Sequence, residues 1–275
     1  MIIGQKKLLN KIDTIENYPK FSIITGAKGS GKRTIVKYIC NKLNLPMVTF
    51  GTSIDEVRKI IELSYEQDKP ICYVCPDADS MSLGAKNALL KITEEPPNNA
   101  YFILTLLVIG NTLDTIKSRA TVFSLDDYTT EEIMEYKQFR KYGNSFDDKI
   151  KSICSTTGEV DDLLQTDVNS FYTFAETVAF QIHLPTTGNI FKIPLALKMK
   201  EDEKPKKDEK PKYNPILLFK TVRNLYIKKG IEEKSEKYLK AASVTSACLR
   251  DLALPTVNKV GTVDKWIMDV RAVLR

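Results

Sequence analysis

Residues Gly26 to Thr34 read Gly-Ala-Lys-Gly-Ser-Gly-Lys-Arg-Thr, the G-x-x-x-x-G-K spacing of a loop that cradles phosphate. Gly26, Gly29 and Gly31 let the backbone approach an anion so that successive N–H groups point at its oxygens. The helix that follows adds the partial positive charge of its N-terminus. Ser30 lies inside the cradle, and Lys32 is spaced to reach the terminal phosphates. The next position calls for a hydroxyl to hold a magnesium ion, but it is Arg33. Thr34 does not step in, because one residue along a helix turns a side chain by about 100°. An arginine at that point would partly neutralise the phosphates in place of the ion.

Hydrolysis of a nucleotide further requires two adjacent carboxylates at the end of another strand, one for the metal and one to orient the attacking water. The candidate stretch, YVCPDADSMS from Tyr73 to Ser82, offers Asp77 and Asp79 but no adjacent pair. Other chemistries have less support. His183 is the only histidine, which leaves no room for a histidine base beside a nucleophile, and it reads as a structural residue at a helix end. Cys72 and Cys75 form a C-x-x-C within an apolar strand-like run, and no second pair completes a tetrahedral metal site. The odd number of scattered cysteines suits a reducing compartment.

A net charge of +6 permits contact with phosphates without announcing a nucleic-acid binder. No stretch approaches the roughly 18 apolar residues of a membrane span, and the first residues lack the order of a signal peptide. The cytoplasm is the expected location, with no membrane contact.

The elements that would position these residues alternate. The run FSIIT (Phe21–Thr25) predicts a strand leading into the loop, and RTIVKYICNKL behind it has helical spacing. Strands follow at PMVTFG, PICYVC, AYFILTLL and ATVFSL. Between them lie a helix opened by a Ser53–Glu56 capping box and another, LGAKNALLKITEE, stopped by Pro96 and Pro97. Strand and helix in alternation predict a parallel sheet covered on both faces.

Beyond Leu125 the spacing is helical. The expected units are an α/β domain over 1–125, a small helical unit over 126–167 that includes SFDDKIKSICSTTG, and a helical unit over 168–275. The tract 198–212 holds seven lysines, five acids and two prolines; it cannot repay the entropy of packing and reads as a mobile, solvated loop.

Longer stretches carry a resemblance. PDADSMSLGAKNALLKITEEPPNNAYFILT (Pro76–Thr105), IIGQ (Ile2–Gln5) and TIKSRATVF (Thr115–Phe123) are similar to signatures of the clamp-loader branch of the AAA+ ATPases. Within it they resemble the delta-prime type found in bacterial DNA polymerase III and its phage-encoded relatives. The likeness is good over residues 1–125 and looser beyond. It implies an AAA+ P-loop domain, a helical lid and a helical collar through which related subunits assemble.

Aligned on Met81, the family's metal-binding Asp falls on Pro76 and its water-orienting Glu on Asp77. Shifted by one, Ala78 replaces the second acid, so one carboxylate is missing in either register. Loss of such a group costs several kcal/mol of barrier. A sensor arginine of the lid would fall near Asp162, with the charge reversed, and the family's four-cysteine zinc module is absent from the sequence. Arg119 of the SRA triplet, by contrast, matches the arginine that enters a neighbouring subunit's nucleotide site as a finger.

The resemblance therefore implies a delta-prime-like, non-hydrolysing subunit with ATP weakly bound or absent, magnesium doubtful and no zinc. Its partners would be other clamp-loader subunits in a hetero-oligomer, on the family's pattern a pentamer, together with a sliding clamp and primer–template DNA touched along its backbone. The alternatives are an active AAA+ ATPase using Asp77 and Thr34 in altered geometry, or a helicase-loading or recombination adaptor on the same fold.

Overall fold

A computed structural model describes residues 2–143, 145–182, 213–254 and 257–275. Phe21–Thr25 forms strand β1, buried at every position, as a strand covered on both faces must be. Met47–Thr49 (β2), Ile71–Cys75 (β3), Ala100–Leu106 (β4) and Thr121–Ser124 (β5) join it in a parallel sheet of order β2-β3-β4-β1-β5. The register pairs Ile23 with Leu104 and Ile24 with Phe123. The edge strand β2 is exposed along its length.

Alternation along the strands sends side chains to two cores. On one face Ile24, Val74, Ile103 and Phe123 pack with helices α1 (Lys6–Asp13) and α2 (Lys32–Lys42) through Ile12, Ile35 and Ile39. On the other, Ile23, Tyr73, Phe102 and Leu104 pack with α3 (Ile54–Tyr65), α4 (Leu83–Ala88), α5 (Leu90–Glu94) and α6 (Asp114–Lys117). Each fully buried large apolar side chain contributes about 1.5–3 kcal/mol relative to exposure, so these two layers fix the sheet. The C-x-x-C is divided between them, Cys72 in the first core and Cys75 in the second. An odd spacing on a strand points the two thiols to opposite faces, and one ion cannot sit between them.

The capping box forms as read: the Glu56 N–H donates to Ser53 Oγ at 3.3 Å and the Ser53 N–H to Glu56 Oε2 at 3.4 Å. The single helix expected over LGAKNALLKITEE is instead α4 and α5. At Leu89 the N–H reaches back three residues, to the Lys86 carbonyl at 3.2 Å. This tighter turn stacks residues three apart and buries Leu89 and Ile92 completely.

The chain forms two compact units, one of residues 1–136 with 155–158 and the other of residues 137–154 with 159–275. Helix α7 (Thr130–Phe139) opens in the first unit and ends in the second, and α8 (Asp147–Ile153) belongs to the second. The helical reading of SFDDKIKSICSTTG holds only to Ile153. Cys154 turns extended, and Ser155–Gly158 belongs to the α/β unit. Helix α9 (Thr157–Leu164) begins there and continues into the second unit.

The helical unit is completed by α10 (Val168–Gln181), α11 (Pro215–Glu232), α12 (Glu236–Leu252) and α13 (Lys259–Leu274). Its core is aromatic: Phe219 meets Trp266 edge-on at 4.7 Å, and Tyr226 donates to the Ala179 carbonyl at 2.8 Å. Trp266 Nε1 donates to Thr245 Oγ1 at 3.0 Å, so the polar atoms of these rings are satisfied where they are buried. Among the described residues no helix is long and apolar enough to cross a membrane. His183 and the charged tract 198–212 lie outside the described residues.

Candidate functional site

The loop from Gly26 to Gly31 leaves β1 at its carboxyl end and runs directly into α2. Gly29 at φ 80° and Gly31 at φ 94° adopt left-handed backbone that a side chain would strain. A Cβ on Gly26 would stand 2.7 Å from Ser30 Oγ, so the hydroxyl lies across the loop from that glycine. Ser30 is 1% exposed and its hydroxyl has no protein partner. A buried hydroxyl left unpaired costs about 1–3 kcal/mol, and an oxyanion accepting its proton would relieve that cost.

Lys32 is also buried, with Nζ donating to the Gly26 carbonyl at 2.7 Å and the Ala27 carbonyl at 3.1 Å. Burial lowers its pKa, and the charges of Asp77 and then Asp79 oppose the shift. The geometry is that of a cation held back on its own loop. Arg33 and Thr34 are exposed on the first turn of α2.

The acidic stretch follows β3. Asp77, exposed, sits at φ 56°, a region that Asp tolerates, and its N–H donates to Thr105 Oγ1 at 3.1 Å. Asp79 is 6% exposed and fully engaged: Oδ2 accepts from the Leu107 N–H at 2.6 Å, Oδ1 from the Val108 N–H at 3.4 Å and from Asn111 Nδ2 at 3.0 Å. That carboxylate orders the turn leaving β4. Of the two acids in this stretch, Asp77 remains available.

Three further features brace the loop, and the sequence did not reveal them. The Thr156 hydroxyl donates to the Lys28 carbonyl at 3.3 Å, the Thr157 hydroxyl to the Gly29 carbonyl at 3.1 Å and the Gly158 N–H to the same carbonyl at 3.0 Å. A Cβ on Gly158 would lie 2.6 Å from Gly29 Cα, so the two backbones touch. Tyr128 donates its hydroxyl to the Ser30 carbonyl at 3.0 Å, and burial raises its pKa. Gln5 ties the amino-terminal segment to the strand exit, with Nε2 donating to the Asp126 carbonyl at 2.6 Å and Oε1 accepting from its N–H at 3.2 Å. All these contacts engage outward carbonyls of the loop or segments beside it. The local signals were hydroxyls and glycines, and sequence separations of 128 and 121 residues gave no hint of their partners.

Arg119 is not part of this assembly. It precedes β5, so in a parallel sheet it stands at the amino ends of the strands, opposite the loop. Five residues of β1 separate the two ends, roughly 15 Å at about 3.3 Å per residue. Its side chain is 37% exposed, with Nη2 2.8 Å from Glu94 Oε1 and Nη1 donating to the Thr115 carbonyl at 2.9 Å.

Residues 10–129 match the family model described as DNA polymerase III, delta subunit. The DNA polymerase III subunit gamma of Buchnera aphidicola subsp. Schizaphis graminum is 27% identical over 190 residues, 56% of this chain and 52% of that protein. The subunit delta' of Buchnera aphidicola subsp. Baizongia pistaciae is 26% identical over 46% of this chain and 38% of its own. Most of the α/β unit is thus similar to this DNA polymerase III subunit family.

The chain spans about half the length of the gamma relative that it matches and less of the delta' relative. A point variant of RuvB from Thermotoga maritima has the same AAA+ fold, with a TM-score of 0.50 at 13% identity over 71% of this chain and 82% of that one. In the α/β unit the donors for phosphate are in place: the glycine backbone, the unpaired Ser30 hydroxyl and Lys32. The position after Lys32, where such a loop offers magnesium a hydroxyl, is Arg33. Among the described residues no group of three or more His, Cys, Asp or Glu side chains could hold a metal ion. Asp162, near which the resemblance would put a lid arginine, accepts from Asn214 Nδ2 at 2.6 Å within the helical unit.

Proposed function

We propose that the chain is a delta-prime-like subunit of a DNA polymerase clamp loader that does not itself turn over ATP and that supplies Arg119 to the nucleotide site of a neighbouring subunit. The observation that carries this reading is the position of Arg119, half exposed at the end of the sheet opposite its own loop. From there it serves a site on another chain, where a cationic finger stabilises charge developing on the transferred phosphoryl group. The loop, in turn, binds nucleotide weakly or as phosphate only, and contributes through assembly. The partners are other clamp-loader subunits in a hetero-oligomer, and the assembly loads a ring-shaped clamp on primed DNA held along its backbone.

The test is reconstitution with the gamma-type ATPase of the same replication system. ATP turnover of the complex should collapse with Arg119→Ala while the isolated chain stays silent throughout; equal rates with and without the arginine would remove the finger role. A second reading, an active ATPase, draws on Asp77, which is exposed near enough to Lys32 to raise its pKa. Magnesium-dependent phosphate release by the purified chain, lost on Asp77→Asn, would favour it. An adaptor on the same fold would instead fail to co-elute with clamp-loader subunits.

A further inference from the structure

Arg119 is a long, rotamer-rich side chain, and a finger works only if its guanidinium is already where the phosphate will arrive. Two contacts from its own chain hold it. Glu94, the last residue of α5, faces Nη2 at 2.8 Å, and the Thr115 carbonyl, on α6, receives Nη1 at 2.9 Å. These use two of the five guanidinium donors, and the others stay available to a phosphate oxygen.

We infer that Glu94 is the positioning residue for Arg119: its carboxylate fixes the plane of the guanidinium so that the finger is presented to the neighbouring subunit preorganised. This rests on the reading of Arg119 as a finger. The Glu94 side chain is 54% exposed and that of Arg119 37%, and an ion pair so open to water is weak and salt-sensitive. It restricts the arginine's rotamers, yet it cannot hold the arginine back from a doubly charged phosphate. The Thr115 carbonyl alone leaves the guanidinium free to rotate about that single bond, so the second contact is what defines its plane.

The closing experiment compares wild type, Glu94→Gln, Glu94→Ala, Arg119→Ala and the double variant Glu94→Ala/Arg119→Ala, each full-length and reconstituted with the gamma-type ATPase. Co-elution and an ATP titration of turnover are measured for all five. Expected are a fall in kcat of about threefold for Glu94→Gln and about tenfold for Glu94→Ala, with KM unchanged and co-elution intact. The double variant should be no slower than Arg119→Ala alone, because an effect acting through the arginine vanishes with it.

Wild-type or faster turnover for Glu94→Ala, beside a crippled Arg119→Ala, would overturn the positioning role and leave the finger standing. So would loss of co-elution, which would assign Glu94 to assembly, or additive losses in the double variant. An Arg119→Ala complex as active as wild type would remove the finger and the positioning role together.

Discussion

At the carboxyl ends of its strands the sheet retains a phosphate cradle, with Gly29 and Gly31 in left-handed backbone, Lys32 folded onto the loop and Ser30 buried without a partner. The position after Lys32, where such a loop offers magnesium a hydroxyl, holds Arg33. At the amino ends, Arg119 stands half exposed beside Glu94. One end is tightly built, braced by Thr156, Thr157 and Gly158 and by Tyr128. The other is open and lightly held, and it carries the arginine that we propose acts on a phosphate held by a neighbouring subunit. The braced loop and the open arginine are separated by the five residues of β1.

The contrast can be broken most sharply at Arg119. Its replacement by alanine should lower turnover of the assembled complex by about 10³-fold, the low end of what such fingers supply, with no change in the chain's own thermal unfolding. A residual rate close to wild type would mean that the open end is only surface. The braced end is probed next by Gly158→Val. Its Cβ would meet Gly29 Cα at 2.6 Å, and backbone cannot yield as a flexible side chain does, so we expect a loss of about 2 kcal/mol in urea unfolding. An unchanged midpoint would show that the brace is dispensable.

A gain of function sharpens the comparison further. Arg33→Ser combined with Pro76→Asp restores an oxygen ligand at each vacant position, and magnesium-dependent affinity for a fluorescent ATP analogue should rise about tenfold, or ~1.4 kcal/mol. No difference between magnesium and chelator would show that the loop's shape, and not its ligands, excludes the ion. The smallest effect belongs to Lys32. Its folded pKa is lowered by burial, so the unfolded chain holds that proton to higher pH. The cost of burying the charge is present below the folded pKa and fades as pH rises towards the unfolded value, giving stability a small upward slope with pH in the alkaline range. Lys32→Met should flatten that slope in the alkaline range below the ordinary lysine pKa, apart from a pH-independent offset for the Gly26 carbonyl, which loses its donor while the Ala27 carbonyl keeps the Ser30 N–H.

The sequence by itself determined the layers and the cradle. Five apolar runs, the spacing of glycines and lysine in Gly26–Lys32, the Ser53 capping box and the helical spacing of α10 to α13 are local signals, set by side-chain periodicity and backbone preference over a few residues. So was Arg33 in place of a hydroxyl after Lys32, because a missing ligand atom is missing in any fold; that Pro76 stands at a ligand position is implied only by the resemblance aligned on Met81. Where local order is irregular the reading failed. Leu89 tightens a turn and is buried with Ile92 in one core, and Cys154–Thr156 interrupts the helical pattern just where the hydroxyls of Thr156 and Thr157 and the Gly158 N–H meet carbonyls of residues 28 and 29. Only the tertiary structure decided that Arg119 lies at the end of the sheet away from its own loop, that Asp79 is consumed by the turn after β4, and that Glu94 faces the guanidinium. Each of these depends on strand direction and on contacts between residues 25 or more apart in the chain, which the composition of neither partner encodes.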